Sequence, residues 1–314
     1  MLNNSQAVPT PNAPEAPGAI LARLLLAGRN PNTKRAYGLD LADFARFRDA
    51  VSVASALDDL LTRDQAGAYA LAVAWRESMQ ADRKLAAATV ARRLATLRSA
   101  IALARKLWNH PWSLDVAGPR SLAYRDTRGP GLAGWKALVA AATAAAGRSA
   151  RGRRDLAMIR LLHDLGLRRG ELVSLDVADY EPLEGSLAVL GKGKAESVRL
   201  KLPGPSAAAL DAWLADRGAA PGPLFTRLGP PAGGRLSGEA VARVLAGLGR
   251  AAGLARRPRP HGLRHQAITR LLELGEDVRK VQRFSRHSRI ETVVRYDDNR
   301  RDEGGTLARR LAED

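Results

Sequence analysis

The sequence predicts a mainly α-helical protein with one small β-hairpin or sheet, built as two domains. Three observations carry that expectation. Apolar residues recur at helical spacing over most of the chain, the period changes to strand-like runs only between Ser186 and Leu202, and a Pro/Gly-rich stretch at 113–131 parts two helical regions. At 314 residues the chain is long enough for two domains that each bury a core.

Taken in order, residues 1–17 contain Pro9, Pro11, Pro14 and Pro17 with little apolar content and read as a flexible lead-in. From 18 to 112 the pattern is helical. Tyr37, Leu41 and Phe44 share one face, and Val90, Leu94, Leu97, Ile101, Ala104 and Trp108 form another stripe. Between Ala81 and Trp108 the cations Arg83, Lys84, Arg92, Arg93, Arg98, Arg105 and Lys106 meet a single acid, Asp82. Alone, such a run is a solvated helix face; beside a polyanion it is a backbone-binding face.

After the linker at 113–131, residues 132–314 form the second domain. Arg148 to Arg154 reads as a basic loop before a helix over 155–165. Ser186–Leu190 and Ser197–Leu202 read as strands joined through Gly191-Lys192-Gly193-Lys194, and helices return beyond Leu210. Leu307 and Leu311 share a face of a short amphipathic segment in the tail, behind Gly304 and Gly305.

A formal charge of +18, from 50 Lys and Arg against 32 Asp and Glu, exceeds what solubility requires and favours a nucleic-acid partner. Only eight of those cations are lysines, so each lysine stands out. The absence of cysteine excludes disulfides, Cys-type zinc sites and a thiol nucleophile. With neither a signal segment nor a membrane span at the sequence level, a cytoplasmic, nucleoid-associated protein is expected. No Gly-x-x-x-x-Gly-Lys-[Ser/Thr] loop or His-Glu-x-x-His pair occurs, and His261 and His265, four apart, lack a matching third ligand. No metal site or cofactor is expected.

What remains is a set of cations and histidines ending in one tyrosine. It comprises Gly166-Leu167-Arg168-Arg169-Gly170-Glu171-Leu172, the hairpin with Lys192, His261-Gly262-Leu263-Arg264-His265, and His287 to Tyr296. Singly, each has a bland explanation: a surface arginine, a residue at a helix start, an aromatic at the core margin. In this order and spacing they resemble the catalytic domain of the tyrosine recombinase or phage integrase family. Gly-Leu-Arg-x-x-Glu-Leu is similar to its first arginine box and marks Arg168. Gly191-Lys192-Gly193 resembles its β-hairpin and marks Lys192, with Lys194 as rival and DNA contact. His261-x-x-Arg264 matches the second box, and His287 with Tyr296 nine positions later matches the histidine and nucleophile. Asn32 to Tyr37, with Asp40, Leu41 and Phe44, resembles the helical (SAM-like) core-binding domain; Lys34, Arg35, Arg92, Arg93 and Arg98 are its expected DNA-binding residues. One departure stands out: Arg286 precedes His287 where the family usually has glycine, which alters the helix approach or adds a phosphate contact.

The chemistry fits these residue types. A phosphodiester repels nucleophiles and gathers charge in its pentacoordinate transition state, which two permanently charged, bidentate guanidiniums, Arg168 and Arg264, offset. The Tyr296 phenol must lose its proton; His261 is the candidate base, with His287 positioning the phosphate or sharing the proton work. The leaving 5′ oxygen needs a proton that lysine can give and arginine cannot, which explains Lys192. The resemblance further implies a C-shaped clamp on double-stranded DNA at a specific crossover site, with a dimer per site and a tetramer in synapsis, or a paralogous recombinase as partner. Two rivals remain: a type IB topoisomerase, which shares the nucleophile and cations, and a catalytically inactive DNA-binding accessory protein.

Overall fold

In the computed structural model, residues 15–119, 129–191 and 196–297 are described here. The chain divides into two compact units, Met1–Arg125 and Asp126–Asp314.

The first unit is helical. α1 (Pro17–Leu26) and α2 (Pro31–Phe47) each begin on a proline, whose missing N–H costs nothing in a first turn. Asn30 caps α2 by accepting from the Thr33 amide at 3.0 Å; Ser52 and Asp64 cap α3 (Val53–Thr62) and α4 (Gln65–Glu77) in the same way. A π-helical turn, Ser78–Asp82, leads to the 22-residue α5 (Ala87–Trp108). Leu21, Phe44, Leu57, Leu60, Trp75, Leu94, Leu97 and Ile101 fill the core, with Phe44 and Trp75 edge to face at 5.1 Å. Trp112, Leu114 and Val116 are buried at alternate positions in this same core, so the Pro/Gly-rich stretch begins inside the first unit.

The second unit is built around α7 (Ala150–Asp164), which packs on α6 (Gly131–Ala146) and buries Ala157, Met158, Leu161 and Leu162. The basic stretch 148–154, expected as a loop, is mostly helix. Ser149 caps it by accepting from the Gly152 amide at 3.1 Å, and Arg153 and Arg154 are engaged by Asp216 and Asp155 at 2.8 and 2.7 Å. Arginine is a good helix former, so a capped run of it has no reason to stay irregular.

After α8 (Arg169–Ser174) comes a three-stranded antiparallel sheet of β1 (Tyr180–Glu181), β2 (Ser186–Leu190) and β3 (Ser197–Lys201). Leu187 pairs with Leu200 and Val189 with Val198. α9 (Gly204–Arg217), α10 (Gly238–Ala251) and α11 (Pro260–Glu273) complete the main core through Leu210, Trp213, Leu245 and Leu263. α12 (Val278–Ser285) and α13 (Glu291–Asp297) join α11 through a separate small cluster of Ile268, Leu272, Val281, Val293 and Tyr296. No helix among the described residues is long and apolar enough to cross a membrane. Lys192, Lys194 and the tail with Gly304, Gly305, Leu307 and Leu311 lie outside the described residues.

Candidate active site

Arg168 sits at the junction of a turn and a helix. Gly166 makes the turn at φ +54°, where a Cβ would also lie 2.9 Å from the Phe284 ring, so glycine is required twice over. Three residues into α8, Glu171 turns back: its carboxylate accepts from the Arg168 amide at 2.9 Å and from the Arg168 guanidinium at 2.6 Å. Burial works to raise the Glu171 pKa; hydrogen bonds and charge from Arg168, with the charge of Arg286, overcome it and hold the pKa below the ordinary glutamate value.

α11 starts on Pro260, placing His261 in its first turn and Arg264 one turn on, on the same side. His261 is exposed, while Arg264 is fully buried. The Arg264 guanidinium donates to the carbonyls of Gly166 and Ser285 and, at 3.1 Å, to Nε2 of His287. Burial, followed by the charges of Arg168 and Arg286, lowers its pKa to about 9, which leaves it cationic at neutral pH. Partial desolvation of its ring, then Arg264 and Arg168, lowers the pKa of His261.

α12 ends in a left-handed turn. Arg286 adopts φ +56°, its N–H bonds the Arg283 carbonyl and the His287 N–H bonds the Gln282 carbonyl, closing a Schellman motif. That geometry is why glycine suits this position, and it aims His287 inward. Ser285 Oγ donates to the Gln282 carbonyl at 3.2 Å and faces His287 Nδ1 at 2.8 Å, so Nδ1 carries the proton and Nε2 presents its lone pair to Arg264. Burial first, then Arg264, Arg168, His261 and Arg286, lowers the His287 pKa to about 4. The ring is a fixed neutral acceptor.

Tyr296, 8 % exposed on α13, packs against His265 at 4.6 Å and His287 at 5.8 Å between ring centroids. Burial raises its pKa, and the nearby charges of Arg264 and Arg168 oppose that rise. Alongside runs a cleft of about 570 Å³ whose lining includes Arg168, Gly191, Gln282, Arg286 and His287. The structure thus gathers Arg168, Arg264, His287 and Tyr296, places His261 at the helix start beside them, and brings the described chain to Gly191, one residue short of Lys192, at the cleft wall. No group of three or more potential metal ligands occurs among the described residues.

The cations singled out in the first unit divide. Lys34 and Arg35 are exposed near the start of α2. Arg92 and Arg93 are turned toward Asp40 and Asp43: Arg92 pairs with Asp40, and Arg93 reaches Asp43 at 2.6 Å, where Arg83 also binds at 2.8 Å. Arg98 donates to the Val116 carbonyl at 2.6 Å. Arg92 still keeps 43 % of its side chain exposed, whereas Arg93 keeps 15 %.

Sequence reasoning did not single out Glu171, Gln282, Ser285 or the inward course of Arg286. Glu171 carried a signal, a carboxylate three residues after an arginine at a helix start. Ser285 and Gln282 carried none.

Known proteins resemble the chain in both sequence and fold. The sequence model of the phage integrase family matches residues 135–303. A tyrosine recombinase of Synechococcus elongatus is 39 % identical over 307 residues, covering 96 % of this chain and 95 % of its own. A tyrosine recombinase of Synechocystis is 37 % identical, covering 90 % of each. In fold, the chain is similar to the site-specific recombinase XerH bound to a palindromic difH substrate in a post-cleavage complex, with a TM-score of 0.66, 18 % identity and coverage of 95 % of this chain and 85 % of that one. It is similar also to a lambda integrase dimer bound to a core site, with a TM-score of 0.63, 16 % identity and coverage of 91 % and 78 %.

Proposed function

The chain belongs to the phage integrase family, the tyrosine recombinases, and from that premise we propose that it cuts and rejoins DNA at a specific crossover site through a 3′-phosphotyrosyl link to Tyr296. The phenolic oxygen of Tyr296 attacks the scissile phosphorus, the bond to the 5′ oxygen breaks, and the 5′ hydroxyl leaves. Arg168 and Arg264 stabilise the charge on the non-bridging oxygens. His261 takes the phenol proton, and Lys192 protonates the leaving oxygen. The phosphotyrosyl ester conserves the energy of the broken bond, so a 5′ hydroxyl of another strand reverses the step without ATP.

His287 serves as a positioning residue in this reading, because its lone pair is already engaged by Arg264. The carrying observation is the connected chain from Arg168 through Glu171, Arg286 and Gly166 to Arg264, His287 and Tyr296. A dimer on each site, a tetramer in synapsis and exchange through a Holliday junction complete the proposal; the dimeric lambda integrase on its core site supports the first of these. The tail beyond Gly305 is assigned to contacts between protomers. Lys34, Arg35 and the exposed part of Arg92, with Lys194, are assigned to the DNA backbone.

The test is a nicked suicide substrate analysed on a denaturing gel. Wild-type protein is expected to yield a covalent adduct and Tyr296→Phe to yield none while still binding DNA. Adduct persisting in the variant removes Tyr296 from its role.

A further inference from the structure

We infer that Arg286 is a positioning residue that takes up the charge of Glu171 and fixes the Gly166 carbonyl, leaving the guanidiniums of Arg168 and Arg264 oriented and uncompensated toward the scissile phosphate. The inference rests on the proposed roles of those two arginines.

The guanidinium of Arg286 does not face the solvent. Its side chain is 4 % exposed and donates to four acceptors, the carbonyls of Leu165 at 3.2 Å, Phe284 at 2.9 Å and Gly166 at 3.1 Å and the carboxylate of Glu171 at 3.0 Å, while its own backbone carbonyl accepts from Arg168 at 3.0 Å. A direct phosphate contact, one expectation for an arginine at this position, is therefore not where the side chain points.

Two of these acceptors are shared. The Gly166 carbonyl also takes a hydrogen bond from Arg264, and Glu171 also binds the amide and guanidinium of Arg168. Arg286 thus grips the anchor points of both arginines at once. The charges point the same way. Without Arg286, the buried carboxylate of Glu171 would balance Arg168 alone; with it, two guanidiniums pair with that carboxylate, and Arg264 nearby brings the group to a net charge of two positives. The backbone adds an independent sign. A left-handed φ of +56° favours glycine and disfavours arginine, and the side-chain network offsets that strain.

The same backbone makes the test clean, because Arg286→Gly relieves the turn and Arg286→Lys keeps a cation. The first readout needs no catalysis: NMR titration of His287 in DNA-free protein, its resonance assigned by loss in His287→Asn. The charged and titratable groups bearing on that ring are Arg168, Arg264, His261 and Arg286, with Tyr296 packed alongside. Arg286→Gly is expected to raise the His287 pKa, Arg286→Lys to leave it low, and Arg286→Gly with Glu171→Gln to return it toward wild type, since that pair removes one charge of each sign.

The second readout is single-turnover cleavage. Arg286→Gly is expected to slow it by about tenfold or more at nearly unchanged DNA affinity, and added Glu171→Gln to recover part of the loss. An unmoved His287 titration in folded Arg286→Gly, or a double variant as slow as the single, overturns the inference. A wild-type protein that forms no adduct overturns the proposed function instead, and the titration still decides the role of Arg286.

Discussion

The imidazole Nε2 of His287 accepts a hydrogen bond from the buried guanidinium of Arg264 at 3.1 Å, and its Nδ1–H is held by Ser285. An imidazole whose lone pair is occupied is a poor base. The acid limb of the cleavage pH profile should therefore belong to His261, whose lowered pKa places that limb below the ordinary histidine value. In single-turnover rates against pH, His287→Asn is expected to slow cleavage and keep the limb, whereas His261→Asn loses the limb with about a hundredfold slower rate. The reverse pattern would exchange the two roles.

His287 also links stability to pH. Its folded pKa of about 4 lies below its unfolded value of about 6.5. Between those values the unfolded chain binds the proton and the folded chain does not, so this contribution is fully present above pH 6.5 and lost as pH falls toward 4. The loss is at most about 3 kcal/mol. Melting temperatures of wild type and His287→Gln at pH 7 and pH 4.5 measure it; wild type should fall further on acidification, and parallel falls would refute the linkage.

In the first unit, Asp43 is 4 % exposed and receives Arg83, Arg93 and the Trp75 indole N–H. Asp43→Ala leaves Arg93 largely buried without its nearest carboxylate and should cost about 3 kcal/mol. Thermal melting reads this directly, and a loss under about 1 kcal/mol would mean the cluster is well solvated.

The roles proposed for Lys192 and Lys194 can be told apart by changing the leaving group. A substrate with a 5′-bridging phosphorothiolate has a sulfur leaving group that departs without a proton. It should rescue cleavage by Lys192→Ala and have little effect on Lys194→Ala; rescue of the latter alone would swap the assignment.

The helical class, the hairpin and the order of the site residues were legible because each rests on local pattern: period, capping and box spacing. Arg168 and Glu171 could be paired on spacing alone, since a helix start brings residues three apart together. The basic stretch at 148–154 is helix from Ala150 because its signals are local, the Ser149 cap and a run of good helix formers, which a reading by charge alone passes over. Arg92 and Arg93 show the same limit. A cationic stripe looks alike whether it meets solvent, DNA or two aspartates, and only the fold reveals Asp40 and Asp43 opposite it. The inward course of Arg286 was hidden because its acceptors are backbone carbonyls, which carry no sequence signature.

The small cluster that holds α13 sets how readily Tyr296 can be released. A seven-residue helix is too short to persist alone, and Tyr296 and Val293 are its buried apolar anchors on α11 and α12, apart from the main core. In amide hydrogen exchange, α13 should surrender its protons through local opening long before α7 does, because detaching it leaves the main core intact. Tyr296 is thus sheltered by its own anchorage: the packing that fastens α13 to α11 and α12 is also what keeps the phenol out of water.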